Sequence, residues 1–315
     1  MGTAFLFPGQ GAQQIGMGAD LVRCFPVARQ MFDRAEEITR LPLKKLCFEG
    51  PEEELSRTDI SQPAIFTMSM ATLAVMKELV GLEKMPKPLF YAGLSLGEYT
   101  ALCAAGVVSF EDGLALVAKR GQYMQEAASA TPSGMVCLLG ADEEVANRVC
   151  QAARGEGVLV PANFNAPGQI VVSGSIDACN RAMELAATCG ASGAIELKVA
   201  GAFHCPLMQP AADKLGQLLN TMTFQAPSAP VLSNVTGRAH EGVDSIRKLL
   251  LDQLTCSVRW QQNCEYMLAN GVDVMLEIGP GRVLAGLMRK VDRRANVTSL
   301  NGREALEKFA GLQAQ

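Results

Sequence analysis

Short apolar runs that stop at glycine or proline alternate along this chain with longer stretches of helical spacing. Residues 3–7 are apolar and end at Pro8-Gly9, which predicts a buried strand running into a turn. Residues 20–40 have helical spacing interrupted by Pro26. Gln62-Pro63 opens a long helical pattern over 64–80, closed by Gly81. A second short strand is expected over 89–92, followed after Gly97 by a small-residue helix to about 105. The next helix, 110–128, sets Leu114, Val117, Ala118, Gly121 and Met124 on its apolar side.

The texture changes at Thr131-Pro132-Ser133-Gly134. Strands over 135–139, 158–163, 170–173 and 194–199, with helices over 142–154 and 176–189, give the order βαββαβ of a split-βαβ, ferredoxin-like unit. Afterwards the α/β alternation resumes: a strand at 231–234, helical stretches at 243–254 and 265–269, and a strand at 274–278 ending in Gly279-Pro280-Gly281. The expectation is a mostly parallel α/β domain over 1–130 and 200–315, interrupted by a small ferredoxin-like α+β subdomain at 131–199.

Composition narrows the function. Of 315 residues, 49% are hydrophobic and 19% charged, which excludes extensive disorder. The net charge of −4 offers no basic surplus for nucleic acid. Ten scattered cysteines form no C-x-x-C pair and read as free thiols of a reducing compartment. His204 and His240 are the two histidines, too few and too isolated for a metal site. Residues 157–176 carry no charge, but Pro161, Asn163, Asn165, Pro167 and Gln169 are incompatible with a lipid-facing helix. The first basic residue is Arg23, so no secretory signal is read. The expected location is cytoplasmic, or a plastid or mitochondrial matrix had a transit peptide been removed.

Three segments could carry chemistry. Gly93-Leu94-Ser95-Leu96-Gly97 fits G-x-S-x-G between a strand and a helix, where a sharp turn lifts a serine into a cleft. A serine nucleophile needs a base. His240 lies in a polar, turn-rich stretch and reads as an exposed loop residue; His204, in Gly201-Ala202-Phe203-His204, follows a strand in a tight connection. Cys205 reads as packing. Phe7-Pro8-Gly9-Gln10-Gly11 exposes backbone N–H groups at a strand's C-terminal end, where ligands gather in open α/β sheets. Neither this segment nor Gly279-x-Gly281 completes G-x-G-x-x-G, which disfavours nucleotide binding.

Phe7–Gly11, Gly93–Tyr99, Arg120, Gly201–His204 and Glu277–Gly281 follow one another in an order that resembles the malonyl-CoA:acyl carrier protein transacylases of type II fatty acid synthesis. The resemblance covers nearly the whole chain. It implies a hydrolase-like α/β domain with a ferredoxin-like insertion and a ping-pong transfer of malonyl to a carrier's phosphopantetheine thiol. By the same resemblance Ser95 is the acylated nucleophile and His204 its base. Gln10 and the backbone N–H of Leu96 form the oxyanion hole. Arg120 holds the malonyl carboxylate, although its helical position alone would make it a solvated arginine. The backbone carbonyl of Gln253 replaces an acidic triad member in orienting the histidine. Asn165 and Gln169 belong to a supporting loop near the site, and Phe203 suits malonyl selectivity. Many bacterial members have histidine where this chain has Leu94. No metal or redox cofactor is implied. The partners are malonyl-CoA and an acyl carrier protein, with Arg289, Lys290, Arg293 and Arg294, or Lys44 and Lys45, as docking candidates. A monomer, without nucleic-acid or membrane partners, is expected. The rivals are a patatin-like serine acyl hydrolase, which would need a catalytic Asp, and a non-catalytic carrier-binding module, which would not need both Ser95 and His204.

Overall fold

The structure, a computed structural model, describes residues 2–313. Contacts divide the chain into two compact units. The first takes the chain up to Gly121, Thr223–Leu232 and the chain from Met267; the second takes Gln122–Met222 and Ser233–Tyr266. The second unit is therefore larger than the expected 131–199 segment.

The first unit is built on a parallel sheet of β1 (Gly2–Phe7), β2 (Pro88–Gly93), β7 (Val272–Ile278) and β8 (Asn296–Leu300), in the order β2-β1-β7-β8. Phe7 pairs with Gly93 and Leu6 with Glu277, so β1, β2 and β7 end side by side. The register thus delivers the Phe7–Gly11, Gly93–Gly97 and Gly279–Gly281 segments to one edge of one sheet. Phe5, Leu6 and Phe7 are buried, as both faces of a parallel sheet require. Beside the sheet runs the helix Thr58–Val80. It is long and apolar enough to cross a membrane, but 72% of its most apolar stretch is buried, making it a core helix. It begins a turn and a half before the proline that was expected to open it. Ser61 N–H donates to the Arg57 carbonyl at 2.7 Å, and the Thr67 hydroxyl donates to the Pro63 carbonyl at 2.7 Å. That early turn carries Thr58 and Gln62.

The second unit contains the antiparallel sheet β4-β5-β3-β6, formed by β3 (Ser133–Leu139), β4 (Leu159–Ala166), β5 (Gln169–Ser175) and β6 (Gly193–Glu196). With helices Glu143–Ala153 and Ile176–Leu185 this is the split-βαβ arrangement. Alternate strand residues Val136, Leu138 and Val172 pack against Ala146, Val149, Ala178 and Ala182. Asp142 caps its helix by accepting the Val145 N–H at 2.8 Å.

Three expectations are corrected. Residues 231–234 form no strand but a single bridge from Val231 to Tyr91, because Ser233 enters a turn in which its carbonyl accepts Gly237 N–H. Residues 194–199 form a strand only as far as Glu196: Leu197 N–H still donates to the Met135 carbonyl at 2.9 Å, but Val199 N–H turns back onto the Leu197 carbonyl at 2.9 Å. His240 is half-buried rather than exposed. All ten cysteines lie outside disulfides, seven of them buried, with Cys256 exposed.

Candidate active site

In the first unit, Ser95 stands between β2 and the helix Leu96–Ala104, at φ 54° and ψ −103°. That region is costly for any residue but glycine. Among the described residues only Arg40, Ser95 and His204 are non-glycine with positive φ. The two candidate catalytic side chains are thus both held in strained backbone. The elbow needs its glycines for closeness. A Cβ on Gly93 would lie 2.0 Å from the Gly97 carbonyl, and one on Gly97 would lie 2.0 Å from the Phe7 carbonyl. Leu94 N–H donates to that same Phe7 carbonyl at 3.2 Å, tying the elbow to the end of β1.

Leu96 opens the helix, so its N–H is one of the four that no helical carbonyl accepts. The Gln10 loop faces the elbow at close range: a Cβ on Gly9 would meet the Leu94 carbonyl at 2.2 Å. The Gln10 side chain points elsewhere, donating to the Thr58 hydroxyl at 3.4 Å. Neither Gln10 nor Leu96 donates a backbone hydrogen bond to another main-chain group among the described residues. Two N–H groups beside a helix N-terminus suit an oxyanion.

Arg120 is buried, only 1% exposed, which corrects the solvated position expected from its helix alone. Its Nη2 donates to Ser95 Oγ at 3.1 Å and its Nη1 to Gln62 Oε1 at 2.7 Å. The guanidinium lies 4.8 Å from the centre of the Tyr99 ring. Burial pulls Arg120 below the ordinary arginine value, while Tyr99 and Glu98 act in the opposite direction. Burial likewise pushes the Tyr99 phenol up to about 12, against the pull of the Arg120 charge. The Tyr99 phenol therefore stays protonated near neutrality; a guanidinium keeps its charge in proteins, so the site holds a buried cation beside its hydroxyl.

In the second unit, His204 is 4% exposed and its Nδ1 lies 2.7 Å from the Gln253 carbonyl oxygen. A carbonyl only accepts, so Nδ1 carries the proton and Nε2 is left with a lone pair, the tautomer a general base needs. Gln253 closes the helix Val243–Asp252 and is itself buried, its amide donating to Asn234 Oδ1 at 3.4 Å. The segment before His204 is packed tightly: Ala202 N–H donates to Ser133 Oγ at 3.1 Å, and a Cβ on Gly201 would lie 2.7 Å from that of Ala128. Phe203 is buried. Asn165 and Gln169 flank the Pro167-Gly168 turn between β4 and β5, with Gly168 at φ 73°. The Asn165 Oδ1 atom is buried without a hydrogen-bond partner.

The acyl transferase domain family matches residues 4–302. The chain belongs to that family. The malonyl CoA-acyl carrier protein transacylase of Bacillus subtilis is 44% identical over 305 residues, covering 96% of this chain and 95% of its own. The crystal structure of the corresponding enzyme of Xanthomonas oryzae superposes with a TM-score of 0.92 at 40% identity, covering 99% and 97% of the two chains. A type II polyketide acyl carrier protein in complex with its malonyl-transacylase provides another match, at TM-score 0.94 and 38% identity over 99% and 100%.

Within this acyltransferase the structure groups Ser95, Leu96, Gln10 and Arg120 in one unit, and His204, Gln253, Phe203, Asn165 and Gln169 in the other. It also adds Gln62, Tyr99 and Thr58 to the first group. Sequence reasoning missed them because each sits in a helix whose apolar or small-residue pattern reads as packing. The usable signal was Gln62 itself, a long amide side chain beside Pro63 in a helix whose other polar residues before Lys77 are the shorter Thr, Ser and Asp.

Proposed function

We propose that the chain transfers malonyl from malonyl-CoA to the phosphopantetheine thiol of an acyl carrier protein, with Ser95 as the residue that carries it. The observation that supports this best is the buried Arg120 guanidinium within hydrogen-bond distance of Ser95 Oγ. In a malonyl ester on Ser95 the free carboxylate lies two C–C bonds of about 1.5 Å from the acyl carbon. A guanidinium beside Oγ is therefore within reach of that carboxylate, which it can pair two-pronged.

His204 Nε2 takes the Ser95 proton as Oγ attacks the thioester carbonyl. The oxyanion is received by the N–H groups of Gln10 and Leu96. Collapse expels CoA thiolate, which takes the proton from His204, and malonyl remains on Ser95. The phosphopantetheine thiol then gives its proton to His204 and attacks the ester; collapse breaks the bond between Ser95 Oγ and the acyl carbon, Oγ takes the proton back from His204, and the malonyl thioester leaves. Gln253 orients the histidine, Phe203 bounds the acyl pocket, and Asn165 and Gln169 support the incoming thioester. The cycle needs one copy of the chain and no metal or redox cofactor. We place it in the cytoplasm, a location supported by ten cysteines that lie outside disulfides.

Intact-mass measurement after incubation with malonyl-CoA tests this reading. One malonyl adduct should form, be discharged by holo carrier protein and be absent from Ser95→Ala. An adduct on Ser95→Ala at the normal rate overturns the assignment, and release of free acid in place of transfer would favour the hydrolase.

A further inference from the structure

The reaction above gives no role to Glu277–Gly281, although the segment ends at the same sheet edge as Gln10 and Ser95. Glu277 is fully buried and its carboxylate collects three donors: Leu284 N–H at 2.8 Å, Ala285 N–H at 3.2 Å and the Ser299 hydroxyl at 2.7 Å. It thereby caps the helix Val283–Val291, whose own N-cap residue, Arg282, supplies no side-chain bond. The chain between carboxylate and helix is forced into the Gly279-Pro280-Gly281 turn, with φ 135° at Gly279 and 75° at Gly281. β8 fastens that turn from behind: Gly279 N–H donates to the Leu300 carbonyl at 3.3 Å, and Asn301 Nδ2 to the Gly281 carbonyl at 3.1 Å.

The front of the turn presses on the Gln10 loop. A Cβ on Gly279 would lie 3.0 Å from Pro8 Cγ, and one on Gly281 would lie 3.2 Å from the Ala12 carbonyl oxygen. Pro8 and Ala12 bracket Gln10, whose loop is backed by Leu94 of the elbow through the close approach at Gly9. The loop is thus wedged between the elbow and the Gly279–Gly281 turn. We propose that Glu277, acting through this turn, is a positioning residue for the Gln10 N–H of the oxyanion hole. The inference rests on the acyl-Ser95 reading. It predicts that loosening the turn changes how the hole grips the acyl carbonyl while leaving recognition of the substrate intact.

The test uses Glu277→Gln, Ser299→Ala and Gly281→Ala, with Leu287→Ala as a control that weakens the same helix from its buried side, away from the turn. Each protein is charged with malonyl-CoA carrying 13C at the thioester carbonyl. The ester carbonyl stretch is read by isotope-edited infrared difference spectroscopy, with single-turnover acylation and melting measured alongside. The three turn variants should shift the carbonyl band to higher frequency, as hydrogen bonds to it weaken. They should slow acylation by roughly tenfold or more, within the range for losing an oxyanion donor, and change KM for malonyl-CoA little. The control should melt earlier with an unshifted band. Ser299→Ala and Gly281→Ala keep the test open if Glu277→Gln does not fold. Unshifted bands in the turn variants, or an equal shift in the control, overturn the inference. Failure of the wild type to form any adduct would instead overturn the reading it rests on.

Discussion

Replacing Arg120 by alanine separates recognition of the malonyl carboxylate from every other service the site performs. The guanidinium is buried, fixed by Gln62 Oε1 at 2.7 Å and set over Tyr99. Its second prong lies on Ser95 Oγ at 3.1 Å. In the proposed reading malonyl-CoA brings a carboxylate to this buried cation, and acetyl-CoA brings none. A hydrogen bond to a charged group contributes about 1.5–3 kcal/mol, equivalent to roughly 10- to 150-fold in kcat/KM. Because Arg120 also touches the nucleophile, the variant should lose some acetyl transfer too. The diagnostic quantity is therefore the malonyl-to-acetyl ratio of kcat/KM, expected to fall by at least about tenfold. Arg120→Lys should recover only part of the ratio, since an ammonium offers a point charge and cannot hold Gln62 and the carboxylate in one plane. The assay is steady-state transfer from both thioesters to holo carrier protein by wild type and both variants. Equal losses on the two substrates would refute the reasoning and leave Arg120 as a support for the fold or for CoA.

Other outcomes follow from the same geometry. His204→Ala should slow acylation by roughly 100- to 10,000-fold, whereas Gln253→Ala should cost far less, because the carbonyl that meets Nδ1 belongs to the main chain; single-turnover rates with both variants decide. Lys44 is already paired with Asp33 at 2.5 Å and Glu36 at 3.0 Å, so Lys44→Glu should leave KM for the carrier unchanged. Joint reversal of Arg289 and Arg293 should raise that KM if the exposed end of the helix Val283–Val291 serves docking, and added salt should weaken the same interaction. Burial pushes the thiols of Cys47, Cys103 and Cys150 from 9.0 up to about 12. The unfolded chain therefore releases these protons first. Stability should be full below about pH 9 and decline as pH rises toward 12, by about 1.4 kcal/mol per pH unit for each thiol. Urea midpoints that are equal at pH 7.5 and pH 10.5 would contradict this.

The strand ends and their glycines were legible because they obey local rules. A short apolar run stops where glycine permits a turn, so β1, β2 and β7 emerged within a residue or two of their true bounds. The βαββαβ order of the small sheet was equally local. What failed depended on contacts made at a distance. Residues 231–234 look like a strand, yet Tyr91 offers Val231 only one bridge before Ser233 turns. No expectation covered β8 (Asn296–Leu300) or the helices Val283–Val291 and Arg303–Gln313, although Leu284, Ala285, Leu287 and Met288 give the first of these helices one apolar face; β8 alternates between exposed and partly buried residues and takes its place from pairing with β7. Arg120 is the sharpest case. Its spacing places it beside the apolar stripe, and only Gln62 and Tyr99, contributed by two other helices, make a buried position for a cation there.

In the proposed reaction, where His204 is the base, the histidine's partner sets a limit on the chemistry. A carboxylate in that place would fix the tautomer and also stabilise the imidazolium by its charge. The Gln253 carbonyl, at 2.7 Å from Nδ1, fixes the tautomer with no net charge. That is a weaker device for protonating a poor leaving group such as an amine. A thiol ionises near pH 8.5, so both CoA and phosphopantetheine leave as thiolates that need little help. Transfer between two thiols is nearly symmetric in energy, and the base must only lend a proton and retrieve it. A dyad oriented by a neutral carbonyl is sufficient for such an exchange. A chain with this arrangement should therefore handle thioesters far better than amides, even with the malonyl carboxylate retained. Malonyl-CoA set against a malonamide of matched length measures that preference directly, and comparable kcat/KM on the two would show that the carbonyl is not the limiting element.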